Sequence, residues 1–369
     1  MSVVIDIAGL PPERIVFSPS PLAELGAALH ALAEPGHHPA LHSWATATNA
    51  SLKCELADRL CEADFLWSST RADILLPANP KPTLREELDD LDRMDDERFV
   101  DAALEISCTR RSYAQGARSP LVDRDERQAA LDRATVRGPR QADFARRLLD
   151  DTATVRAWIR RLLEDCETAF FGDLWERTRH QLAADARHKT ELLQHRGLAA
   201  TLDAVSPAIT LDEEGPAPRI VVDKLSEGRT WAADPALYEG PGVTFLPTLI
   251  GQPHLLALYA PGWRPVVTYP VATPELPQPI ALDLMQCRLE ALAHPQRMRL
   301  CLSLSRAAYT TSELAATHGL SAPEVSRHLK AMKKAGLLTT RRRGRYVQYR
   351  LDLSAVARMG SDFIGAVLR

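Results

Sequence analysis

The sequence has little cysteine, few aromatic residues and no long apolar run. Its cysteines lie at positions 54, 61, 108, 166, 287 and 301, with no Cys-x-x-Cys spacing. This density is too low for a disulfide framework and favours a reducing, cytoplasmic location. No stretch approaches the roughly 18 consecutive apolar residues that a membrane span needs, and the N-terminal segment lacks the basic region of a signal peptide. No membrane partner is therefore expected.

Motifs for catalysis and metal binding are also missing. The sequence contains no P-loop, no G-x-G-x-x-G, no G-x-S-x-G and no H-E-x-x-H motif. The segment HHPALH, which begins at His37, is the nearest approach to a metal cluster, but it has no neighbouring acidic residue or cysteine. The histidines at 180, 188 and 195 lie about 10–12 Å from one to the next along a predicted helix, too far apart to share one ion. The sequence predicts no cofactor, no metal site and no enzyme.

The net charge is close to zero, but the charge is unevenly distributed. The 369-residue chain carries a formal net charge of −3. Residues 283–369 contain 15 Lys and Arg against 6 Asp and Glu, a net charge of +9, so the preceding residues carry −12. A basic C-terminal quarter after an acidic body is typical of a nucleic-acid-binding module joined to a second domain.

Apolar periodicity predicts a mainly α-helical body with a small β subregion. Residues 1–204 contain helical spacings of apolar residues, and Gly197 is expected to end the last of these helices. Residues 205–271 contain the strand-like segments PRIVVDKL, GVTFLPTLI, HLLALYA and RPVVTYPVA, whose prolines favour edge strands. A proline-rich linker is expected at residues 272–282, followed by a separate domain at residues 283–369.

Two successive helix-start signals define the C-terminal domain. Thr310 and Glu313 have the spacing of a capping box, and so do Ser321 and Glu324. Gly319, between them, is expected to end the first helix with a positive φ angle. Two short helices joined by such a turn predict a helix-turn-helix.

The second of these helices and the segment after it have features that suit DNA. Val325, Leu329 and Met332 share the face expected to enter the core, and the opposite face is basic, as suits a helix in the major groove. The sequence LLTTRRRGRYVQYRLD predicts a β-hairpin with its turn at Gly344. The arginines of this hairpin suit phosphate groups or a narrow minor groove.

These segments resemble the winged helix-turn-helix of the ArsR/SmtB family of bacterial transcription regulators. The similarity is carried by ALAHPQRMRL, TTSELAATHGLSAPEVSRHLKAMKKAGLL and RRRGRYVQYRL, which contain helix, turn, helix and wing in the family's order. The body resembles the long N-terminal domain of uncharacterised function that precedes such modules in actinobacterial regulators. That similarity is carried by RIVFSPSPLAEL, GPGVTFLP and WRPVVTYP. The resemblance implies a helical body followed by a C-terminal winged helix-turn-helix.

The resemblance also implies which residues contact DNA, because the family places the second helix in the major groove. Arg327 would bond guanine or phosphate, and Ala322 would touch a thymine methyl. Glu324 would either accept a hydrogen bond from cytosine or be occupied by its capping box. The full set of expected DNA-contacting residues is Thr311, Ser321, Ala322, Pro323, Glu324, Ser326, Arg327, Lys330, Arg341, Arg343, Arg345 and Tyr346.

The module departs from the metal sensors of that family. Those members carry Cys pairs on the first helix of the motif or Asp/His pairs on the last helix. Here SELAATH contains no Cys, and SAVARMGSDFIGAVLR contains neither Cys nor His. The module is therefore expected not to respond to a metal, and any signal would be received by the body.

The leading hypothesis is a sequence-specific transcription repressor that binds a palindromic operator in double-stranded DNA as a homodimer. The body would dimerise, sense a small organic effector, or do both. The main alternative is a winged helix used for architecture or protein docking, against which the +9 charge argues. A weaker alternative is an enzyme with an appended DNA module.

Overall fold

The chain divides into two compact units, residues 1–273 and 274–369, in this computed structural model. The structure describes residues 3–68, 72–104, 118–215, 217–222, 229–232, 240–258, 264–271, 281–343 and 346–367. Most of the predicted linker, residues 272–280, therefore lies outside the described residues. Within these ranges, no helix combines the length and the apolar character needed to cross a membrane.

The first unit is mainly helical, as its apolar spacing predicts. Its helices within the described residues are α1 (Pro21–Ala33), α2 (His42–Ser51), α3 (Cys54–Ala63), α4 (Leu84–Arg93), α5 (Asp96–Leu104), α6 (Arg124–Arg137), α7 (Pro139–Asp150), α8 (Thr152–Cys166) and α9 (Gly172–Val205). Helix α1 begins where the Ser20 side chain accepts a hydrogen bond from the backbone N–H of Ala23, with proline at the first helical position. Leu22, Leu25 and Leu29 of this helix are fully buried in the main apolar core.

Helices α8 and α9 are joined by a π-helical turn at Glu167–Phe171. The extra residue of such a turn rotates the apolar stripe, so Phe171 is fully buried while Phe170 only packs against the core. Gly197 has a non-helical conformation, with φ 79° and ψ 177°. One helical segment of α9 ends at this kink and a second continues from it to Val205, so the prediction that Gly197 ends a helix is confirmed.

The strands of the first unit form two four-stranded sheets. They are β1 (Val3–Asp6), β2 (Ile15–Phe17), β3 (Ile209–Asp212), β4 (Arg219–Val222), β5 (Arg229–Ala232), β6 (Val243–Thr248), β7 (Leu256–Leu258) and β8 (Val266–Pro270). One sheet has the order β3-β4-β1-β5, and the other has the order β2-β6-β8-β7. The second core joins residues of both sheets, including Ile5 and Phe245, to Leu182 and Ala186 of α9.

Two prolines occupy interior strands rather than the predicted edges. Pro247 lies in β6 and Pro270 in β8, and these two strands are the central pair of their sheet. Both prolines fall in the last two residues of their strands, where a missing N–H interrupts only the end of the hydrogen-bond ladder. The edge-strand prediction from proline content is therefore wrong for β6 and β8.

A buried carboxyl group fixes the N-terminus of α1. Glu87, on α4, is 1% exposed and accepts hydrogen bonds from the Ser20 hydroxyl and from the backbone N–H groups of Leu22 and Lys81. Burial raises the pKa of Glu87 to about 8, although these three hydrogen bonds act in the opposite direction. The folded protein therefore keeps a proton on Glu87 that the unfolded chain releases near pH 4.5.

This difference predicts a pH-dependent stability. The contribution of Glu87 to the free energy of unfolding should be complete below about pH 4.5 and should be lost as the pH rises towards 8. Urea unfolding of the wild type and of Glu87→Gln at several pH values measures this free energy. The wild-type free energy of unfolding should fall relative to that of the variant by up to about 1.4 kcal/mol per pH unit in this range. If the free energies of unfolding of the two proteins differ by the same amount at every pH, Glu87 is ionised in the folded protein.

The second unit has the helix and strand order of a winged helix. Its elements are α10 (Leu282–Leu292), α11 (Pro295–Leu304), β9 (Tyr309–Thr310), α12 (Thr311–His318), α13 (Ala322–Lys334), β10 (Leu338–Arg343), β11 (Tyr346–Leu351), α14 (Leu353–Ala357) and α15 (Met359–Val367). Strands β10, β11 and β9 form an antiparallel sheet in that order. The predicted fold class, a mainly helical protein with small sheets and a C-terminal winged helix-turn-helix, is confirmed.

Candidate DNA-binding site

The two predicted capping boxes position the helix-turn-helix. The Thr310 hydroxyl accepts from the Glu313 backbone N–H, while the Glu313 carboxylate accepts from the Thr310 backbone N–H at 2.6 Å. Ser321 and Glu324 repeat this arrangement at the start of α13. Gly319 ends α12 with φ 65° and ψ 32°, a left-handed conformation that glycine adopts without strain. Both caps and the turn are confirmed.

Helix α13 has one buried face and one exposed face. Val325, Leu329 and Met332 are at most 1% exposed and pack in the core of the second unit. The predicted DNA-contacting residues of this helix and its cap that are exposed are Ser321, Ala322, Pro323, Ser326, Arg327 and Lys330. Thr311, at the start of α12, is half-buried. The structure thus places polar and basic side chains along the outer side of α13.

Glu324 has a structural role in its capping box. Its carboxylate accepts hydrogen bonds from the Ser321 hydroxyl at 2.6 Å and from the Ser321 backbone N–H at 2.9 Å. These bonds lower the pKa of Glu324, so its negative charge sits at the N-terminus of α13, where the helix dipole favours it. Of the two roles considered for Glu324, the capping role is the one visible in the fold.

The predicted wing forms a hairpin from β10 and β11. In this antiparallel hairpin, Leu338 pairs with Leu351 at the base and Arg343 pairs with Tyr346 at the far end. The expected hairpin tip is Arg343-Gly344-Arg345, of which Gly344 and Arg345 lie outside the described residues. Arg341 is exposed on β10, so at least one arginine of the wing is presented to solvent.

Two exposed cations of α13 differ from two arginines of the first unit in their partners. In the first unit, Arg160 forms ion pairs with Asp89, Asp92 and Glu164, and Arg156 pairs with Asp96. By contrast, neither Arg327 nor Lys330 makes a hydrogen bond or an ion pair to another described residue. Exposed cations without an internal carboxylate partner are suited to phosphate groups.

A pair of histidines flanks this surface. The rings of His294 and His328 lie 4.9 Å apart between their centroids. Burial lowers the pKa of His328, and the neighbouring His294, Arg297 and Arg327 lower it further, while Glu324 raises it. His328 lies beside the exposed face of α13 and contacts His294.

Comparisons with known proteins match the second unit to transcription regulators. Residues 292–341 match a helix-turn-helix domain model. The transcriptional repressor SmtB of Mycobacterium tuberculosis H37Rv is 36% identical over 102 residues, which cover 25% of this chain and 76% of SmtB. The biofilm growth-associated repressor of Agrobacterium fabrum is 34% identical over 71 residues, and the chain spans only 61% of its length. A solved structure of an ArsR-like regulator from Rhodococcus sp. RHA1 is 26% identical to this chain. The aligned region covers 23% of this chain and 81% of that regulator, with a TM-score of 0.21.

The first unit matches a family without an assigned activity. Residues 1–275 match the model of a family of unknown function, DUF5937. The chain belongs to the DUF5937 family. Its C-terminal unit is an ArsR/SmtB-type helix-turn-helix domain. Both resemblances stated from the sequence are thereby confirmed.

The ArsR/SmtB-type module of this DUF5937 protein also carries an exposed apolar surface. Leu282 and Leu289 on α10 are 43% and 46% exposed, and Phe363 and Val367 on α15 are 45% and 54% exposed. Helices α10 and α15 pack against each other. We call these four residues the apolar helix surface.

A buried ion pair lies beneath this surface. Arg288 of α10 and Asp362 of α15 are 8% and 9% exposed, and their charged atoms lie 2.6 Å apart. Arg288 also donates to the backbone carbonyl of Ala335. Charge spacing in the sequence gave no signal for this pair, because the two residues are 74 positions apart.

Proposed function

We propose that this DUF5937 protein is a sequence-specific transcription repressor that binds a palindromic operator as a homodimer. The observation that carries the proposal is the outer face of α13, where exposed Arg327 and Lys330 form no hydrogen bond or ion pair with another described residue. This face is held beside a hairpin with exposed Arg341. The membership of the second unit in a family of repressors supports the same function.

In the proposed complex, α13 lies in the major groove and the wing contacts the flanking backbone. The small side chains of Ser321 and Ala322 at the start of α13 permit close approach to base edges. Arg327 contacts a guanine, and Lys330, one turn further along the helix, contacts a phosphate. The wing contributes Arg341, Arg343 and Arg345 as phosphate contacts.

Two copies of the module pair through the apolar helix surface in this proposal. An isologous dimer buries Leu289 and Phe363 of each copy against the same surface of its partner. The two α13 helices then contact half-sites about one DNA turn (~34 Å) apart. The two-fold symmetry of the dimer makes the operator an inverted repeat.

The first unit offers a cleft suited to a small organic effector. Phe65, Phe144 and Trp158 line a cleft of about 220 Å³ together with Arg140 and Arg147. Aromatic walls with a few charged groups are typical of sites for small organic ligands. We propose this cleft as the binding site of the effector.

Footprinting of the full-length protein on DNA upstream of its own gene tests the function. Two protected patches on the same face of the duplex, with centres one helical turn or a multiple of it apart, are expected. Mutating either half of the protected inverted repeat should weaken protection of both halves. Uniform protection, or a single unrepeated patch, would contradict the proposal.

Paired variants should separate base contacts from phosphate contacts. Arg327→Ala should weaken operator binding by about 1–3 kcal/mol and weaken binding to scrambled DNA much less, because a bidentate contact to guanine is lost. Arg341→Ala should weaken binding to both duplexes alike and reduce the salt slope of log K by about 1. Fluorescence anisotropy with both duplexes measures this. Equal losses on both duplexes for Arg327→Ala would place that side chain on the backbone.

A further inference from the structure

The first unit contains a compact group of buried histidines. His30 lies in the last turn of α1, His38 lies in the loop that follows, and His254 lies two residues before the start of β7. They are 4%, 1% and 6% exposed. Three buried imidazoles in contact are unusual for simple packing, because each ring carries two polar nitrogen atoms that must be satisfied.

The ring nitrogens of this group are spaced as metal ligands. Nε2 of His30 lies 3.2 Å from Nε2 of His254. One nitrogen from each of His30, His38 and His254 falls within 4.8 Å of the other two. Two nitrogens bound to the same tetrahedral zinc ion at about 2.0–2.1 Å lie about 3.3–3.4 Å apart. The His30–His254 pair already has this spacing, and the nitrogen of His38 lies within 4.8 Å of both.

Hydrogen bonds to the backbone orient two of the rings. Nδ1 of His30 donates to the carbonyl oxygen of Trp67 at 2.7 Å, and Nδ1 of His38 donates to that of Gln252 at 2.5 Å. With the proton on Nδ1, Nε2 is the nitrogen of each ring that would bind a metal ion. Metal-binding histidines in proteins typically donate their other N–H to a carbonyl or carboxylate in this way.

A separate set of contacts holds the loop that carries His254 against α1. The buried carboxylate of Glu24 accepts from the Thr248 hydroxyl and from the backbone N–H groups of Leu249 and Ile250. The backbone N–H of His254 then donates to the carbonyl of Gly251 at 2.8 Å. The site is thus organised by groups that are not themselves among the three histidines.

We propose that His30, His38 and His254 bind a divalent transition-metal ion, with zinc as the best match to three imidazole ligands. Three protein ligands leave a fourth position for water or a small anion. Half-buried His37, whose Nδ1 lies 3.5 Å from Nε2 of His30, adjoins the three ligands. The sequence predicts no metal site. The proposed site leaves no local pattern in the sequence, because His254 lies more than 200 residues from the other ligands.

Metal titration of the full chain tests the site independently of DNA binding. The protein is stripped with a chelator and titrated with Zn²⁺ in a calorimeter, and with Co²⁺ in an absorption spectrometer. One ion should bind per chain, and Co²⁺ should produce the visible bands of a tetrahedral site. Wild-type protein without saturable binding at one equivalent would overturn the proposal.

Single-residue variants locate the ion. His38→Gln and His254→Gln should each weaken Zn²⁺ binding at least ~100-fold, since each removes a ligand bond. His42→Gln is the matched control, because His42 follows in the same segment but is exposed, and it should bind as the wild type does. Circular dichroism verifies that each variant is folded, and either variant alone suffices if the other does not fold. Wild-type affinity in a folded ligand variant would overturn the proposal.

Discussion

Aspartate at both Leu289 and Phe363 should convert the protein from a dimer to a monomer and lower operator affinity at least ~100-fold. In the proposed dimer these two residues lie on the apolar helix surface of each copy, so the double variant brings four carboxylates together at one interface. Burying carboxylates without partners is strongly unfavourable. A monomer engages only one half-site, and the loss of the linked second contact typically costs 10²–10⁴ in affinity.

The dimer prediction has a matched control in the first unit. Val136 on α6 is 89% exposed, so Val136→Asp also replaces an exposed apolar residue by a carboxylate. It should leave both the oligomeric state and operator binding unchanged. Light scattering on a sizing column measures the mass, and fluorescence anisotropy measures binding. A double variant that remains dimeric would show that another surface joins the two copies.

Asp362→Ala should destabilise the ArsR/SmtB-type module by about 3–5 kcal/mol. The substitution leaves the guanidinium group of Arg288 buried without its carboxylate partner. Replacing both residues together, as Arg288→Met with Asp362→Leu, should restore much of the lost stability, because two apolar side chains remove both buried charges. The double variant therefore distinguishes an uncompensated charge from a simple loss of volume.

The distribution of tryptophan makes this effect measurable in the full chain. All six tryptophans lie in the first unit, so their fluorescence reports the unfolding of that unit and serves as an internal control. Hydrogen exchange of peptides from α10 and α15 reports the stability of the module. Asp362→Ala should accelerate exchange in these peptides and leave the fluorescence transition in place. Unchanged exchange would show that the ion pair contributes little to stability.

Local signals explain how much of the module could be predicted from sequence. The capping boxes at Thr310 and Ser321 and the turn at Gly319 each depend on residues within three or four positions of one another. The wing likewise depends on a short hairpin with alternating residues. Helix α11 shows the limit of such signals. Met298, Leu300, Leu302 and Leu304 are all apolar, yet only Leu300 and Leu304 are buried, because residues two apart face different sides of a helix.

Long-range pairing explains what could not be predicted. Strand β1 pairs with β4 and β5, more than 200 residues away, and His30 meets His254 across a similar separation. In the acidic stretch around α4, the carboxylates of Asp89, Asp92 and Asp96 pair with Arg156 and Arg160 of α8. Such contacts depend on the tertiary arrangement and leave no periodic pattern in the sequence.

The most direct measurement is the affinity of the full-length protein for two duplexes over a range of salt concentrations. One duplex carries the inverted repeat upstream of its own gene, and the other carries the same bases in scrambled order. The affinity for both should fall as salt increases, because cations on α13 and the wing release counterions from DNA. The preference for the inverted repeat should persist at every salt concentration. Equal affinities for the two duplexes throughout would contradict the assignment of a sequence-specific repressor.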